Sequence, residues 1–190
     1  NIDRESIYGC SEVVEFLRNN LGDGYRFESV RAGSLWPNSA AIWQIPTSVG
    51  YSPLVVGSYD QFASPTESWA LRHFSGFINS YNSNLYDLLG VKYIITASEL
   101  KEIDPEIDMH DFPKVKSICY NIYENKGVLP LAFIVHEAKI LENYPYNDLG
   151  LYQNYEPDKT VILENIPNEL ENKLTTVDDS IHIGQDTSFD

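Results

Sequence analysis

Residues 84–96 constrain the fold more than any other part of this sequence. They read Asn-Leu-Tyr-Asp-Leu-Leu-Gly-Val-Lys-Tyr-Ile-Ile-Thr. Apolar residues at helical spacing run up to Gly90, and glycine is typical of the position just after a helix ends. The apolar, β-branched residues from Val91 onward predict a buried strand. The chain must therefore place a short helix directly before a core strand.

The remaining pattern predicts an α+β fold, with helices on one face of a mixed, mostly antiparallel sheet. Three helices are expected. The first covers residues 11–21, is capped by Ser11 and is ended by Gly22. The second begins at a capping box that starts at Ser64, and the third covers residues 85–89. Strands are expected at residues 25–30, 40–45, 91–96, 115–123, 131–138 and 160–163, with a hairpin between 117–123 and 131–136 and one more strand at 180–183. Residues 1–164 are interpreted as one domain and 165–190 as a polar, acidic tail.

Composition excludes several classes of protein. The 190 residues carry a net charge of −15 with 13 Lys and Arg, so the chain lacks the basic clusters with which proteins bind nucleic acid. The longest apolar run, residues 128–135, is far shorter than the roughly 18 residues of a membrane-spanning helix. Cys10 and Cys119 are too few for a disulfide framework, so we expect two buried free thiols, with a single long-range bridge as the alternative.

No motif in the sequence predicts a catalytic centre, a cofactor or a metal. The four histidines, His73, His110, His136 and His182, lack metal-ligand spacing. Neither a nucleophile elbow nor a phosphate-binding glycine loop is present, and residues 22–24 lack the strand before them that such a loop requires. Paired carboxylates are abundant, as expected by chance in so acidic a chain.

Aromatic residues are the more informative excess, with 13 Tyr, 8 Phe and 3 Trp. Flat rings that carry a polar edge stack on sugars. Those least suited to a core predict a glycan or partner surface, together with one neighbouring amide: Trp36, Asn38, Trp43, Tyr51 and Tyr59.

Four segments, in order, resemble one family. They are Arg31 with residues 36–41, residues 50–54 with Tyr59, residues 84–96, and residues 123–135 with their Tyr-Glu-Asn and Leu-Pro-x-Ala-Phe pattern. Together they resemble the extracytoplasmic part of YfhO-type proteins, bacterial multi-pass membrane proteins similar to glycosyltransferases that use lipid-linked sugars. One departure is Leu131, where the family usually carries an arginine.

The resemblance implies an extracytoplasmic domain without chemistry of its own, anchored by transmembrane helices of the same polypeptide. Its partners would be those helices and a glycan or lipid-linked sugar, and its role would be to help recognise the sugar or its acceptor. The polar residues of the motifs are expected to be structural: Arg31, Asn84, Asp87, Glu124 and Asn125. Asp87 would accept hydrogen bonds from Asn84 or Lys92.

Two alternatives remain open at this point. The chain could be a stand-alone sugar-binding module that uses the exposed aromatic residues. It could also be a hydrolase whose site is assembled from His136, Asp87 or Glu124, although no nucleophile and base are spaced to support it.

Overall fold

The computed structural model of the protein describes residues 10–32, 39–48, 84–140, 156–163, 174–177 and 180–183. These residues form four helices and eight strands. The helices are α1 (Ser11–Asn20), α2 (Ser39–Trp43), α3 (Asn84–Leu88) and α4 (Leu100–Ile103). The strands are β1 (Arg26–Val30), β2 (Val91–Thr96), β3 (Lys114–Ser117), β4 (Asn121–Glu124), β5 (Glu137–Ile140), β6 (Thr160–Leu163), β7 (Leu174–Val177) and β8 (Ser180–Ile183).

The eight described strands form two four-stranded sheets. The first has the order β1-β2-β4-β3 and the second the order β6-β5-β8-β7. Strands β1 and β2 are parallel, as are β5 and β6, and the other four pairings are antiparallel. The predicted α+β class with a mixed, mostly antiparallel sheet is confirmed.

Both faces of the first sheet are buried along its central strands β2 and β4, which explains the consecutive apolar residues Tyr93, Ile94 and Ile95 of β2. The edge strand β3 is exposed. On one face Ile95 and Ile122 pack with Leu17 of α1. On the other face Ile94 and Tyr123 pack in a second cluster with residues of α3 and α4. The helices therefore cover both faces of this sheet. The sequence analysis had expected them on one face only.

A bulge in β2 connects the first sheet to α1. Arg26 pairs with Val91 and Phe27 pairs with Tyr93, so Lys92 is the extra residue. The Lys92 ammonium donates to the carbonyls of Asn20 (2.7 Å) and Leu21 (3.3 Å). Because the last carbonyls of a helix lack intrahelical partners, this lysine caps the C terminus of α1.

The predicted strand at residues 40–45 is wrong, because these residues form α2 and its exit. Gln44 has a left-handed φ of 55°. Its N–H bonds the carbonyl of Ala41, and the N–H of Ile45 bonds the carbonyl of Ala40. This pair of bonds is a Schellman motif, a helix ending that normally uses glycine. The missing glycine hid the helix from sequence reasoning.

Two further strand predictions are corrected. Residues 115–123 are not one strand, because β3 and β4 fold back on each other as a hairpin around residues 118–120. The second arm predicted at residues 131–136 is not a strand. Leu131 and Ile134 are 70% and 83% exposed, so this apolar segment does not enter the core. The strand predicted at 131–138 instead begins at Glu137.

Other boundaries differ in smaller ways. Cys10, and not Ser11, occupies the N-cap position of α1. Gly22 follows that helix with φ of +79°, and Gly90 follows α3 with φ of +67°, as the sequence predicted. The strands at 91–96, 160–163 and 180–183 are confirmed, and β7 adds a strand that was not predicted. The helix predicted from Ser64 lies outside the described residues.

Candidate functional site

A cleft of about 270 Å³ lies where α1 ends, β1 begins and the chain leaves α2. Its polar side chains are Arg18, Asp23 and Gln44. Leu17, Leu21, Ile45 and Pro46 supply the apolar part of the lining, and Gly22 and Gly24 supply backbone. Both glycines have positive φ, which turns the chain sharply between α1 and β1. That turn places Asp23 at the cleft.

Arg18 forms one side of the cleft and is held there by Trp43. Its guanidinium donates to the Trp43 carbonyl (3.2 Å) and lies 5.7 Å from the centroid of the indole ring. A guanidinium over an aromatic face is attracted by the ring quadrupole. The indole itself is half-buried against the first core cluster. Trp43, the candidate glycan-stacking residue, is therefore the support of Arg18.

Gln44 supplies another polar group to the cleft lining and adopts the left-handed conformation described above. Its side chain is exposed. A non-glycine residue in this region costs about 1 kcal/mol, and such strain is concentrated at functional positions. The arrangement joins a guanidinium, a carboxylate and an amide around one opening. Among the described lining residues Asp23 is the only carboxylate, so the pair required for glycoside hydrolysis is not found there.

Asp87 and Asn125 form a separate, structural cluster. The Asn125 amide is 2% exposed and donates to Asp87 Oδ1 (2.8 Å) and to the Val91 carbonyl (3.1 Å). Its own oxygen accepts from the Gly127 N–H (3.0 Å). Asp87 is a half-buried acceptor, and the described donor to its side chain is Asn125. The expected donor Lys92 bonds instead to the carbonyls at the end of α1. The cluster joins the end of α3 to the turn after β4.

The electrostatics of Asp87 follow from this burial. Desolvation raises the pKa of its carboxyl, the hydrogen bond from Asn125 opposes that rise, and the charges of Asp111 and Asp158 add to it. Gly127 lies so close that a Cβ placed on it would meet Asp87 Oδ2 at 2.7 Å. The Asp87 carboxylate is therefore packed closely against the turn at Gly127.

Two other polar clusters were not predicted. Glu28 is fully buried in β1 and accepts hydrogen bonds from Tyr86 (3.0 Å) and Ser48 (3.0 Å). The Glu99 carboxylate contacts the Lys114 ammonium and accepts from the Tyr123 hydroxyl (2.8 Å). The Lys114 and Tyr123 hydrogen bonds lower the pKa of Glu99. Residues 25–30 alternate between apolar and polar side chains over Tyr25 to Glu28, so nothing in the sequence marked Glu28 as buried.

Cys10 and Cys119 form a disulfide, which corrects the expectation of free thiols. Their Cα atoms lie 6.4 Å apart although 109 positions separate them in sequence. The bridge connects the start of α1 to the loop between β3 and β4. Neither residue's surroundings could be deduced from sequence, because the proximity depends on packing α1 against the first sheet.

The other predicted site residues are dispersed. Arg31 is exposed, with φ of 49°, directly after β1. Asn84 begins α3, and Glu124 ends β4 beside Lys126. His110 is exposed and contacts Asp111 at 3.5 Å, and His136 is exposed as well. Trp36, Asn38, Tyr51, Tyr59 and His73 lie outside the described residues.

Sequence reasoning missed the three polar residues of the cleft. In the sequence, Gly22 predicted only the end of α1, and residues 22–24 lacked the features of a phosphate-binding loop, so Asp23 was not singled out. Arg18 is indistinguishable from any exposed helical cation, and no pattern marked Gln44. Gln44 lines the cleft because α2 ends there, and no residue pattern in the sequence predicted that ending.

Comparisons with protein-family models, curated proteins and solved structures gave no match for this chain. Within the described residues, no helix combines the length and the apolar character needed to cross a membrane. The family resemblance and the role it implies therefore remain predictions.

Proposed function

We propose that this chain is a non-catalytic, extracytoplasmic recognition domain that binds a glycan, free or lipid-linked, in the cleft between α1 and α2. The observation that carries the proposal is the convergence of Arg18, Asp23 and Gln44 on one opening. Sugar hydroxyls both donate and accept hydrogen bonds, so a site for them needs donors and acceptors together. The guanidinium supplies donors, the carboxylate supplies acceptors and the amide supplies both.

The disulfide supports the extracytoplasmic location. Structural disulfides persist in oxidising compartments and are rare in the cytosol. Cys10 and Cys119 are both used in the bridge. An acidic chain near an anionic bilayer would be repelled, so covalent attachment to transmembrane helices would be the means of holding it there.

Binding is tested by titrating the purified protein with a panel of oligosaccharides and following heat release. The wild type should bind at least one member saturably, and Arg18→Ala and Gln44→Ala should each weaken that binding about tenfold, the equivalent of ~1.4 kcal/mol. Lys101→Ala is the matched control, because Lys101 is an exposed cation on α4 and is not among the residues that line the cleft. Equal affinity in all four proteins would reject the cleft as the site.

Membrane attachment has its own test. The encoding gene is read on both sides of this segment for apolar stretches of about 20 residues. Several such stretches would support an anchored domain that assists sugar or acceptor recognition. Their absence would leave the alternative, a stand-alone carbohydrate-binding module, with the same cleft.

A further inference from the structure

The disulfide has a carboxylate beside both of its sulfurs. Glu12 Oε2 lies 3.9 Å from the sulfur of Cys10 and 3.7 Å from the sulfur of Cys119. The ligand atoms of the three residues all lie within 4.8 Å of one another. Glu12 and Cys119 are exposed, so solvent, ions and reductants reach the group.

We propose that the reduced form of the protein binds one Zn²⁺ ion through the thiolates of Cys10 and Cys119 and the carboxylate of Glu12. With Zn–S bonds of about 2.3 Å and a Zn–O bond of about 2.0 Å, tetrahedral geometry separates sulfur from oxygen by roughly 3.5 Å. The carboxylate oxygen is already close to that separation from each sulfur. Once the S–S bond is broken, rotation of the two side chains is the movement that the site still requires.

The ligand set selects the kind of metal. Thiolates favour zinc and other soft or borderline cations over Mg²⁺ and Ca²⁺, which prefer oxygen ligands. Three protein ligands leave the fourth tetrahedral position to a water molecule. Two thiolates and one carboxylate carry three negative charges, so they more than neutralise the ion. The bridge and the metal site exclude each other, because both use the same two sulfurs.

A phosphine can reduce the disulfide and so release the two thiols that the metal site requires. The phosphine attacks one sulfur and breaks the S–S bond, and water then supplies the oxygen of the phosphine oxide and the protons of the two thiols. The phosphine is oxidised by two electrons, and the disulfide is reduced by two. Zinc then displaces one proton from each thiol, so the affinity should rise with pH.

The test uses Co²⁺ as a spectroscopic probe and then Zn²⁺. The full chain is reduced with a phosphine under anaerobic conditions, its fold is checked by circular dichroism, and Co²⁺ is added. We expect thiolate-to-cobalt charge transfer that saturates at one equivalent and is lost when one equivalent of Zn²⁺ is added. The oxidised protein and the Cys10→Ser/Cys119→Ser variant should show neither signal.

Glu12→Gln separates the proposed three-ligand site from a simple dithiol. It should weaken Zn²⁺ binding about tenfold or more, whereas Glu15→Gln on the same helix should not change it. If reduction unfolds the chain, added Zn²⁺ should restore the helical signal of the wild type and fail to restore that of the double serine variant. Absence of charge transfer, failure of Zn²⁺ to refold an unfolded reduced chain, or equal affinity in Glu12→Gln would overturn the proposal.

Discussion

At the scale of single residues, buried polar groups in this protein are explained by specific partners. Asp87 was interpreted from sequence as a structural acceptor because it stands among apolar residues of a short helix, and that interpretation agrees with its contact to Asn125. The partner could not be predicted, because Asn125 is 38 positions away and meets Asp87 only through the sheet. Sequence spacing gives local neighbours, whereas burial is satisfied by neighbours in space.

Asp87 predicts a specific pH dependence of stability. Because its pKa is raised in the folded protein, the folded state binds the proton more tightly than the unfolded state does. Its favourable contribution is therefore present below the unfolded pKa and is lost as the pH rises through the folded pKa. Asp87→Asn keeps an acceptor for Asn125 but carries no charge, so its stability relative to the wild type should fall as the pH is lowered.

Urea unfolding of both proteins between neutral and acidic pH measures this difference. At neutral pH we expect Asp87→Asn to be at least as stable as the wild type, with the wild type gaining on it as Asp87 protonates. The control is Asp23→Asn, because Asp23 is exposed and its charge is not among those that raise the pKa of Asp87. A difference between Asp87→Asn and the wild type that stays constant with pH would contradict the proposed burial of the charge.

At the scale of elements, the predictions succeeded where a local signal was complete. Gly90 ends α3 and the apolar run after it becomes β2, as the pattern of residues 84–96 required. They failed where the ending of an element uses an unusual residue. Gln44 takes the place of glycine at the end of α2, and the three-residue loop between β3 and β4 contains no strong turn residue.

Gln44 leads to a prediction that separates stability from binding. Gln44→Gly should raise the free energy of unfolding by about 0.5–1 kcal/mol, because glycine adopts the left-handed conformation without strain. Gln44→Ala retains the strain and should give no such gain. Both variants should bind the glycan more weakly, since both lose the amide.

Chemical denaturation of the two variants and the wild type, followed by the binding titration, is the measurement. A Gln44→Gly protein that is less stable than Gln44→Ala would contradict the proposed Schellman ending. One that is more stable and binds with unchanged affinity would remove Gln44 from the site.

At the scale of the whole molecule, the fold class could be predicted and the long-range connections could not. Helical and alternating patterns were enough for an α+β assignment. They did not reveal that α1 packs on the face opposite to α3 and α4, or that packing α1 on the sheet brings Cys10 to Cys119. The cleft depends on the same packing, and for that reason its polar residues were also missed.

The disulfide should contribute strongly to the stability of the whole molecule. A bridge that closes a loop of this length restricts the unfolded chain and contributes about 4 to 5 kcal/mol in the chain-entropy model. Cys10→Ser/Cys119→Ser should lose most of that amount in urea unfolding when compared with the oxidised wild type. In the absence of zinc, the reduced wild type should have the same free energy of unfolding as the variant. Equal stability of the oxidised wild type and the variant would mean that the bridge does not constrain the fold.

The central claim is that the cleft between α1 and α2 recognises a glycan, and a nuclear magnetic resonance titration tests it most directly. The labelled protein is titrated with the best-binding oligosaccharide while backbone and side-chain resonances are followed. We expect saturable shifts centred on Arg18, Asp23 and Gln44, and none at Asp87 or Asn125. Shifts confined to other surfaces, or no shifts with any glycan of the panel, would contradict it.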